Sequence, residues 1–461
     1  VTALLALFVA LVAEDAVVLR AAPRDLAPAQ AQLFRGDWLE VRGEEPGWLK
    51  VYDHRRERPG YVRPGKVRVH PVEAAEAPAL RAVVAFLRDA PGFESLGIGA
   101  AALAMRCDPK APAPEMQAAV GAMAERLAAR ASSRRQLDSA VAAHREVTES
   151  YGVRYLDVEG QGRVQVCYDG AAFRQVLADP GAPAEDRARA VLSLTAAGCV
   201  DAAASPHVLR AWNEWRLDVL GRVEPGPGRL GALQRLRRAE VLSWLTFQHT
   251  RGAQPERAAA DAEAALKELA LADPALLAEE DLPLRAEAAL RVAASRWAGE
   301  KPQPAARQRP YLTVRAGRPG ETCVSAVAEE KVRAERCTYG LVWESSARGR
   351  GPTLTIAVQP AESWTELWVF RRVRGAWRVQ VIPPASEGPG IGYVEAAGFS
   401  AGGSRLLAVR EAMVRGKLRR SFEVRRAADL RVLASAASPD QLGGFTRWST
   451  PDWRGRTLAL R

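Results

Sequence analysis

Five histidines (His54, His70, His144, His207 and His249) and five cysteines (Cys107, Cys167, Cys199, Cys323 and Cys337) are the side chains of this sequence best suited to nucleophilic, acid–base or metal chemistry. Their spacing matches no familiar catalytic set. No His-Glu-x-x-His helix or Gly-x-x-x-x-Gly-Lys-Ser/Thr loop occurs, and no Cys-x-x-Cys pair or His at ligand spacing from a Cys points to zinc. The nearest approach to a Cys–His pair is Cys167-Tyr168-Asp169-Gly170 with His207 forty residues on, where a half-cystine is the simpler role for Cys167. Asp157 and Glu159 straddle an expected hairpin turn, where carboxylates usually serve solvation. The sequence therefore predicts no catalytic residue, no metal ligand and no cofactor.

Cysteine usage instead fits an oxidising compartment. Cys323 and Cys337 flank a short strand-like stretch that a hairpin would close, and Cys167 and Cys199 bracket an expected helix-loop-helix. The simplest connectivity is these two local bridges with Cys107 free, although Cys107 competes for Cys167 or Cys199. Export is also the natural reading of the apolar run Val1-Thr2-Ala3-Leu4-Leu5-Ala6-Leu7-Phe8-Val9-Ala10-Leu11-Val12-Ala13, which has the length of a signal-peptide core and is too short to span a bilayer. Residues 1–13 are accordingly expected to be a signal-peptide remnant, with a buried N-terminal strand as the alternative. The expected location is periplasmic or secreted, with no transmembrane span.

The elements that must position these residues follow from composition and period. A chain of 461 residues with 48% hydrophobic and 26% charged side chains is a soluble globular protein of several domains, not a polytopic membrane protein, a fibre or a disordered chain. Residues 16–72 alternate with a period of two, as in Trp38-Leu39-Glu40-Val41-Arg42 and Trp48-Leu49-Lys50-Val51-Tyr52, and Gly36, Gly43, Pro46-Gly47 and Pro59-Gly60 punctuate the strands. From 76 to 299 the pattern turns helical, with helices expected near 111–131, 133–150, 184–197, 228–250, 255–271 and 284–298, and a hairpin at 153–168. Val208, Trp212, Trp215 and Val219 are spaced to share one helix face. Residues 300–310 read as a Pro-rich linker, and 311–461 return to strands near 353–358, 366–370, 377–382, 405–409 and 457–460. The fold class is a multidomain α+β chain: a small β-barrel, an irregular helical domain, then an antiparallel β domain.

Alternation also locates a candidate binding face. If Leu39, Val41, Leu49 and Val51 fill the barrel, then Trp38, Trp48, Lys50 and Tyr52 point outward, forming an aromatic and basic platform for a peptide or a sugar ring. The alternative is that these side chains pack against the helical domain. Net charge marks a second surface: the chain carries +11 in all, and residues 310–461, with 24 basic and 14 acidic side chains, account for +10 of it. That region would attract an acidic partner, unless the charges form only a solvated face.

Two resemblances sharpen these expectations. Leu33-Phe34-Arg35-Gly36-Asp37-Trp38-Leu39-Glu40-Val41, Gly47-Trp48-Leu49-Lys50-Val51 and Gly60-Tyr61-Val62 together resemble a bacterial SH3 (SH3b) domain over about 55 residues. The resemblance implies an SH3-like barrel that binds peptides or cell-wall polymers. Phe399-Ser400-Ala401-Gly402-Gly403-Ser404-Arg405-Leu406-Leu407 resembles a unit of TolB-like and WD40-like propeller blades, with weaker copies at Trp343-Glu344-Ser345-Ser346 and Trp448-Ser449. Ser345, Ser400 and Ser449 are 55 and 49 residues apart, near a blade period, but about 150 residues hold too few blades for a ring, so an open blade-like stack or sandwich is expected.

The leading expectation is thus a non-enzymatic, exported envelope protein that binds a peptide, protein or cell-wall polymer through the SH3b-like module and a second, acidic partner through 311–461. SH3b domains often accompany cell-wall peptidases, so a cell-wall hydrolase with unrecognised catalytic residues is the alternative. The Cys-Ser-Gly and Gly-His contexts of such peptidases do not occur. Nucleic acid, which would bring a steep salt dependence, is not favoured as a partner.

Overall fold

The computed structural model describes residues 7–109, 114–132, 138–160, 163–200, 204–301 and 310–456. The expected Pro-rich linker and the strand at 457–460 therefore lie wholly or largely outside the described residues. The chain divides into two compact units, Val1–Ser205 and Pro206–Arg461. The helical stretch at 76–299 is shared between them rather than forming a domain of its own.

The first unit opens with β1 (Phe8–Val12), β2 (Val17–Arg20), β3 (Ala29–Leu33), β4 (Trp38–Glu45), β5 (Trp48–Asp53), β6 (Arg58–Val62) and β7 (Val67–Pro71), in the sheet order β3-β2-β6-β5-β4-β1-β7. All its pairings are antiparallel. Every strand sends residues into one apolar cluster, among them Val12, Leu19, Leu33, Leu39, Val51, Val62 and Val67. A flat sheet of seven strands is roughly 29 Å across at the usual strand spacing, so a single shared cluster requires the sheet to wrap around it. The end strands β3 and β7 do not pair, and the expected closed barrel is not seen among the described residues.

Strand β1 corrects the reading of 1–13 as a signal-peptide core for residues 8–12. It lies between β4 and β7, with Val9 opposite both Glu40 and His70. Ala10 and Val12 enter the strand cluster, while Val9 and Leu11 enter a second cluster with the helices α1 (Ala77–Leu87), α2 (Glu94–Cys107) and α3 (Pro114–Ala131). A strand covered on both faces must be apolar at every position, and so loses the alternation that would have revealed it.

The unit continues through α4 (Ser139–Glu149), the hairpin of β8 (Tyr155–Gly160) and β9 (Arg163–Tyr168), α5 (Ala171–Ala178) and α6 (Ala184–Leu194). A disulfide joins Cys167 to Cys199, as expected, and Cys107 is free and buried. The turn before β4 sits directly on α2. Gly36 has φ +94°, and a Cβ there would fall 2.3 Å from the Ser95 carbonyl oxygen, so only glycine allows this approach.

The second unit begins with α7 (Pro206–Gly221), α8 (Arg229–Arg251), α9 (Pro255–Leu271) and α10 (Leu282–Ser295), with a 3-10 turn over Arg296–Gly299. Of the four residues expected to share one face of α7, only Val219 is buried, and Val208 and Trp215 are 50% and 39% exposed. The buried side is instead Asn213, Arg216, Val219 and Leu220. Arg216 is admitted because it donates to Asn213 at 2.7 Å, meets Glu240 at 3.2 Å and lies over the Trp212 ring. Apolar spacing cannot reveal a buried face that is built from paired polar groups.

The strands that follow are β10 (Tyr311–Ala316), β11 (Thr322–Ala328), β12 (Lys331–Thr338), β13 (Leu341–Arg350), β14 (Thr353–Ala361), β15 (Trp364–Val373), β16 (Ala376–Ile382), β17 (Gly392–Phe399), β18 (Arg405–Val414), β19 (Lys417–Arg426) and β20 (Val432–Ala436). Two short helices, α11 (Gly443–Trp448) and α12 (Pro451–Arg456), end the described chain. Strands β10 to β12 form one sheet, in which Cys323 and Cys337 are cross-strand partners and form the second expected disulfide. The antiparallel meanders β13–β16 and β17–β20 join through a short parallel pairing of β15 with β17. No propeller ring is present among the described residues. The three serines expected to mark a repeat do different work: Ser345 donates to the Trp297 carbonyl, Ser400 accepts from the Arg405 amide across the β17–β18 turn, and Ser449 donates to the Phe445 carbonyl.

Candidate functional site

The hairpin of β4 and β5 with its neighbour β6 alternates as expected. Leu49 and Val51 are buried in the strand cluster, while Lys50 is exposed and Tyr52 half-buried on the other face. Cross-strand register sets Tyr52 opposite Glu40 and Lys50 opposite Tyr61. The Arg42 guanidinium lies 4.0 Å from the centre of the Tyr52 ring, and His54 packs edge-on against that ring. Glu40 ties Arg42 and His54 together, 3.2 Å from the first and 2.6 Å from the second, and these bonds hold its carboxyl below the usual range. Tyr61 donates to Glu45 at 3.1 Å, and that bond to a carboxylate raises its pKa.

The two tryptophans of the expected platform sit elsewhere. Trp38 does face away from the strand cluster, but that end of β4 is covered by helix: its indole donates to the Gly99 carbonyl at 3.1 Å and rests against Tyr151. Trp48 is only 5% exposed, because Arg63 folds over it at 4.0 Å and is fixed in turn by Asp25. Both corrections have one cause. Alternation assigns a side chain to a face, and what covers that face is decided by distant chain. The accessible surface is therefore Lys50, Tyr52 and Tyr61 with Arg42 and His54. Tyr61 was readable as outward from its place opposite Lys50.

Among the polar clusters of the described residues, three others border a cavity or group possible metal donors. Between the 3-10 turn at Arg296 and the strand face of β17 and β18, Arg296 pairs with Glu395, which also accepts from the Trp453 indole at 2.8 Å. Glu411 lies beside Tyr393 and 3.2 Å from Arg420, and burial pushes its carboxyl up to about 7. The cavity at Arg296 measures only about 20 Å³, room for one water, so the seam is structural. Glu321 with Cys323 and Cys337 is the one grouping of three metal donors among the described residues, and the disulfide leaves it no thiolate. The third is an open cavity of about 440 Å³ lined by Glu214, Leu217, Asp218, Leu245, His249, Arg257, Ala260 and Asp261. There His249 Nδ1 meets Asp261 at 2.7 Å. Its members come from three helices, and no sequence spacing links them.

No helix among the described residues is long and apolar enough to cross a membrane, and the two disulfides are compatible with an exported protein. No family model, curated protein or solved structure matches the chain.

Proposed function

We propose that this chain is a non-enzymatic, exported protein of the cell envelope that binds a peptide or cell-wall polymer on the outward face of β4, β5 and β6. The observation that carries this reading is that Tyr52 and Tyr61 flank the exposed Lys50 above a sealed apolar core. Two rings and a cation on a rigid sheet offer contact area at little entropic cost, the pattern that recognises peptide or sugar. The antiparallel sheet wrapped around one apolar cluster supports this reading of the first strands, and the two disulfides favour an oxidising location. A second, acidic partner is assigned to the β hairpin tips of the basic region, where Arg372, Arg374 and Arg378, and Arg415, Lys417 and Arg419, are exposed.

Sedimentation with purified insoluble peptidoglycan tests the first site. The wild-type protein should co-sediment, and the double variant Tyr52→Ala/Tyr61→Ala should lose at least tenfold in affinity with an unchanged melting temperature. Equal retention of the two proteins would reject this face. Loss of turbidity from the cell-wall suspension would instead identify a hydrolase.

A further inference from the structure

The two arginine-rich hairpin tips of the basic region lie at opposite ends of the sheet. Strands β15 and β17 run parallel from the pairing of Trp364 with Gly392, and β18 returns antiparallel, so that Ala412 also meets Gly392. The tip with Arg415, Lys417 and Arg419 is therefore beside the start of β15. The tip with Arg372, Arg374 and Arg378 is at its far end, ten residues or about 30 Å away.

Hydrogen bonds gather four turns at that far end. The Arg372 amide donates to the Pro352 carbonyl at 3.1 Å, Arg350 Nε to the Ala401 carbonyl at 2.8 Å, and the Ala427 amide to the Ser404 carbonyl at 2.9 Å. These bonds link the β13–β14, β15–β16, β17–β18 and β19–β20 turns, and beneath them the two meanders share an apolar cluster that includes Leu367 and Ile382 with Val394 and Leu406. Four arginines of the first meander are exposed there, Arg350, Arg372, Arg374 and Arg378, and three of the second, Arg405, Arg426 and Arg431. Asp429 is the one acidic residue of the four turns, 3.5 Å from Arg426. The other six cations have no ion pair among the described residues. At the opposite end, by contrast, Arg415 is paired with Glu387 at 2.8 Å and Arg420 with Glu411 at 3.2 Å.

Unpaired cations gathered in this way repel one another over the roughly 10 Å that salt leaves unscreened, a cost that an anionic surface laid against the turns would reverse. The arginines spread over four turns and two meanders, a patch rather than a line, which matches a planar array of headgroups better than a single polymer strand. Val432 and Leu433 directly follow Arg431 and are 40% and 44% exposed, so aliphatic side chains stand beside the cations, where the headgroup layer of a bilayer would accept them. No exposed aromatic ring lies in these turns among the described residues, so nothing there would stack on nucleic-acid bases.

We propose that this end of the sheet docks peripherally on an anionic phospholipid bilayer, with the arginines on headgroup phosphates and Val432 and Leu433 entering the headgroup layer. The proposal rests on the reading of this region as the seat of an acidic partner, and makes that partner a lipid surface. Each cation close to such a surface adds roughly a factor of five in affinity, so the patch can hold the protein there without a spanning segment.

Co-sedimentation of the untagged full chain with sucrose-loaded vesicles tests this, with phosphatidylcholine alone set against phosphatidylcholine containing one-third phosphatidylglycerol, and soluble polyphosphate as the comparison probe. Binding is expected to the phosphatidylglycerol vesicles, weakening steeply with salt, and not to phosphatidylcholine alone. Arg372→Gln/Arg374→Gln/Arg378→Gln should lose roughly tenfold or more in vesicle affinity, while Arg415→Gln/Lys417→Gln/Arg419→Gln, with the same change of charge, should lose less than about twofold. Val432→Ser/Leu433→Ser should weaken vesicle binding roughly threefold and leave polyphosphate binding unchanged. All these side chains are exposed, and thermal melts matching the wild type show that folded proteins are being compared. Equal losses from the two arginine sets, equal binding to both vesicles, or vesicle binding indifferent to Val432→Ser/Leu433→Ser overturns the proposal. Binding of polyphosphate without binding of vesicles also overturns it but leaves an acidic polymer as the partner, whereas binding of neither probe rejects the acidic-partner reading as well.

Discussion

Glu411 carries the clearest pH signature of any single side chain. Burial lifts its carboxyl from 4.5 to about 7, so between those values the folded state holds a proton that the unfolded chain has released. Stability from this group is therefore full below about pH 4.5 and is lost as pH rises through 7, a difference of roughly 3 kcal/mol. Glu411→Gln keeps the acceptor for Tyr393 but cannot ionise, and should raise the melting temperature at pH 8 while changing little at pH 4.5. A denaturant titration at both values checks it, and a variant no more stable at pH 8 would deny the shift. Asp15 has the opposite sign. Burial opposes its ionisation, but hydrogen bonds from Arg35 and His144 outweigh it and hold the carboxyl at about 2, so its contribution is complete above 3.8 and disappears as pH falls through 2. On the binding face, Leu49→Ala should cost about 2–5 kcal/mol because it empties a closed core, while Tyr52→Ala should cost less than about 1 kcal/mol. Urea melts of the two variants separate these cases, and a larger loss from Tyr52→Ala would show that Tyr52 belongs to the packing.

At the scale of elements, β11 and β12 are held by a bridge between directly opposed residues. Cys323 and Cys337 close a loop of 14 residues' separation, for which the chain-entropy estimate is about 3 kcal/mol. The double variant Cys323→Ala/Cys337→Ala should lose stability of that order, and mass mapping of the unreduced protein should show neither thiol open to alkylation. Their pairing was legible because the loop between them is short enough for a hairpin. The junction of β4 with α2 was not legible. Gly36 reads as a turn glycine, yet the Ser95 carbonyl 2.3 Å from its missing Cβ adds a steric demand that belongs to a helix sixty residues away. Gly36→Ala should cost more than the roughly 1–3 kcal/mol of backbone strain alone, measured against Gly43→Ala, where a Cβ meets nothing within 4 Å.

At the scale of the molecule, every apolar cluster described lies wholly within 1–205 or within 206–461. Separate polypeptides ending at 205 and beginning at 206 should each unfold cooperatively, followed by circular dichroism during heating. Failure of both pieces to fold would mean that the cores are not self-sufficient. A boundary at the linker near 300 would instead strand α7–α10, whose apolar faces share a cluster with Tyr393 of β17. Period alone marks where helix gives way to strand. It carries no information about which helices close over which sheet.

The amino-acid sequence by itself determined the strands at 353–358, 366–370, 377–382 and 405–409, the helices over 228–250 and 255–271, the inward set Leu39, Leu49 and Val51, and the pairing of Cys323 with Cys337. Each of these is local: a period of two or 3.6, or a loop short enough to close. Only the tertiary structure decided that Phe8–Val12 is a strand, that Cys199 bonds Cys167 rather than Cys107, that Trp38 packs against helix and Trp48 is buried while Lys50 is exposed and Tyr52 and Tyr61 are half-buried, and that His249 meets Asp261. Those outcomes depend on contacts between residues far apart in the chain. A side chain's own neighbours can fix which way it points, but burial and pairing are properties of what arrives on the other side.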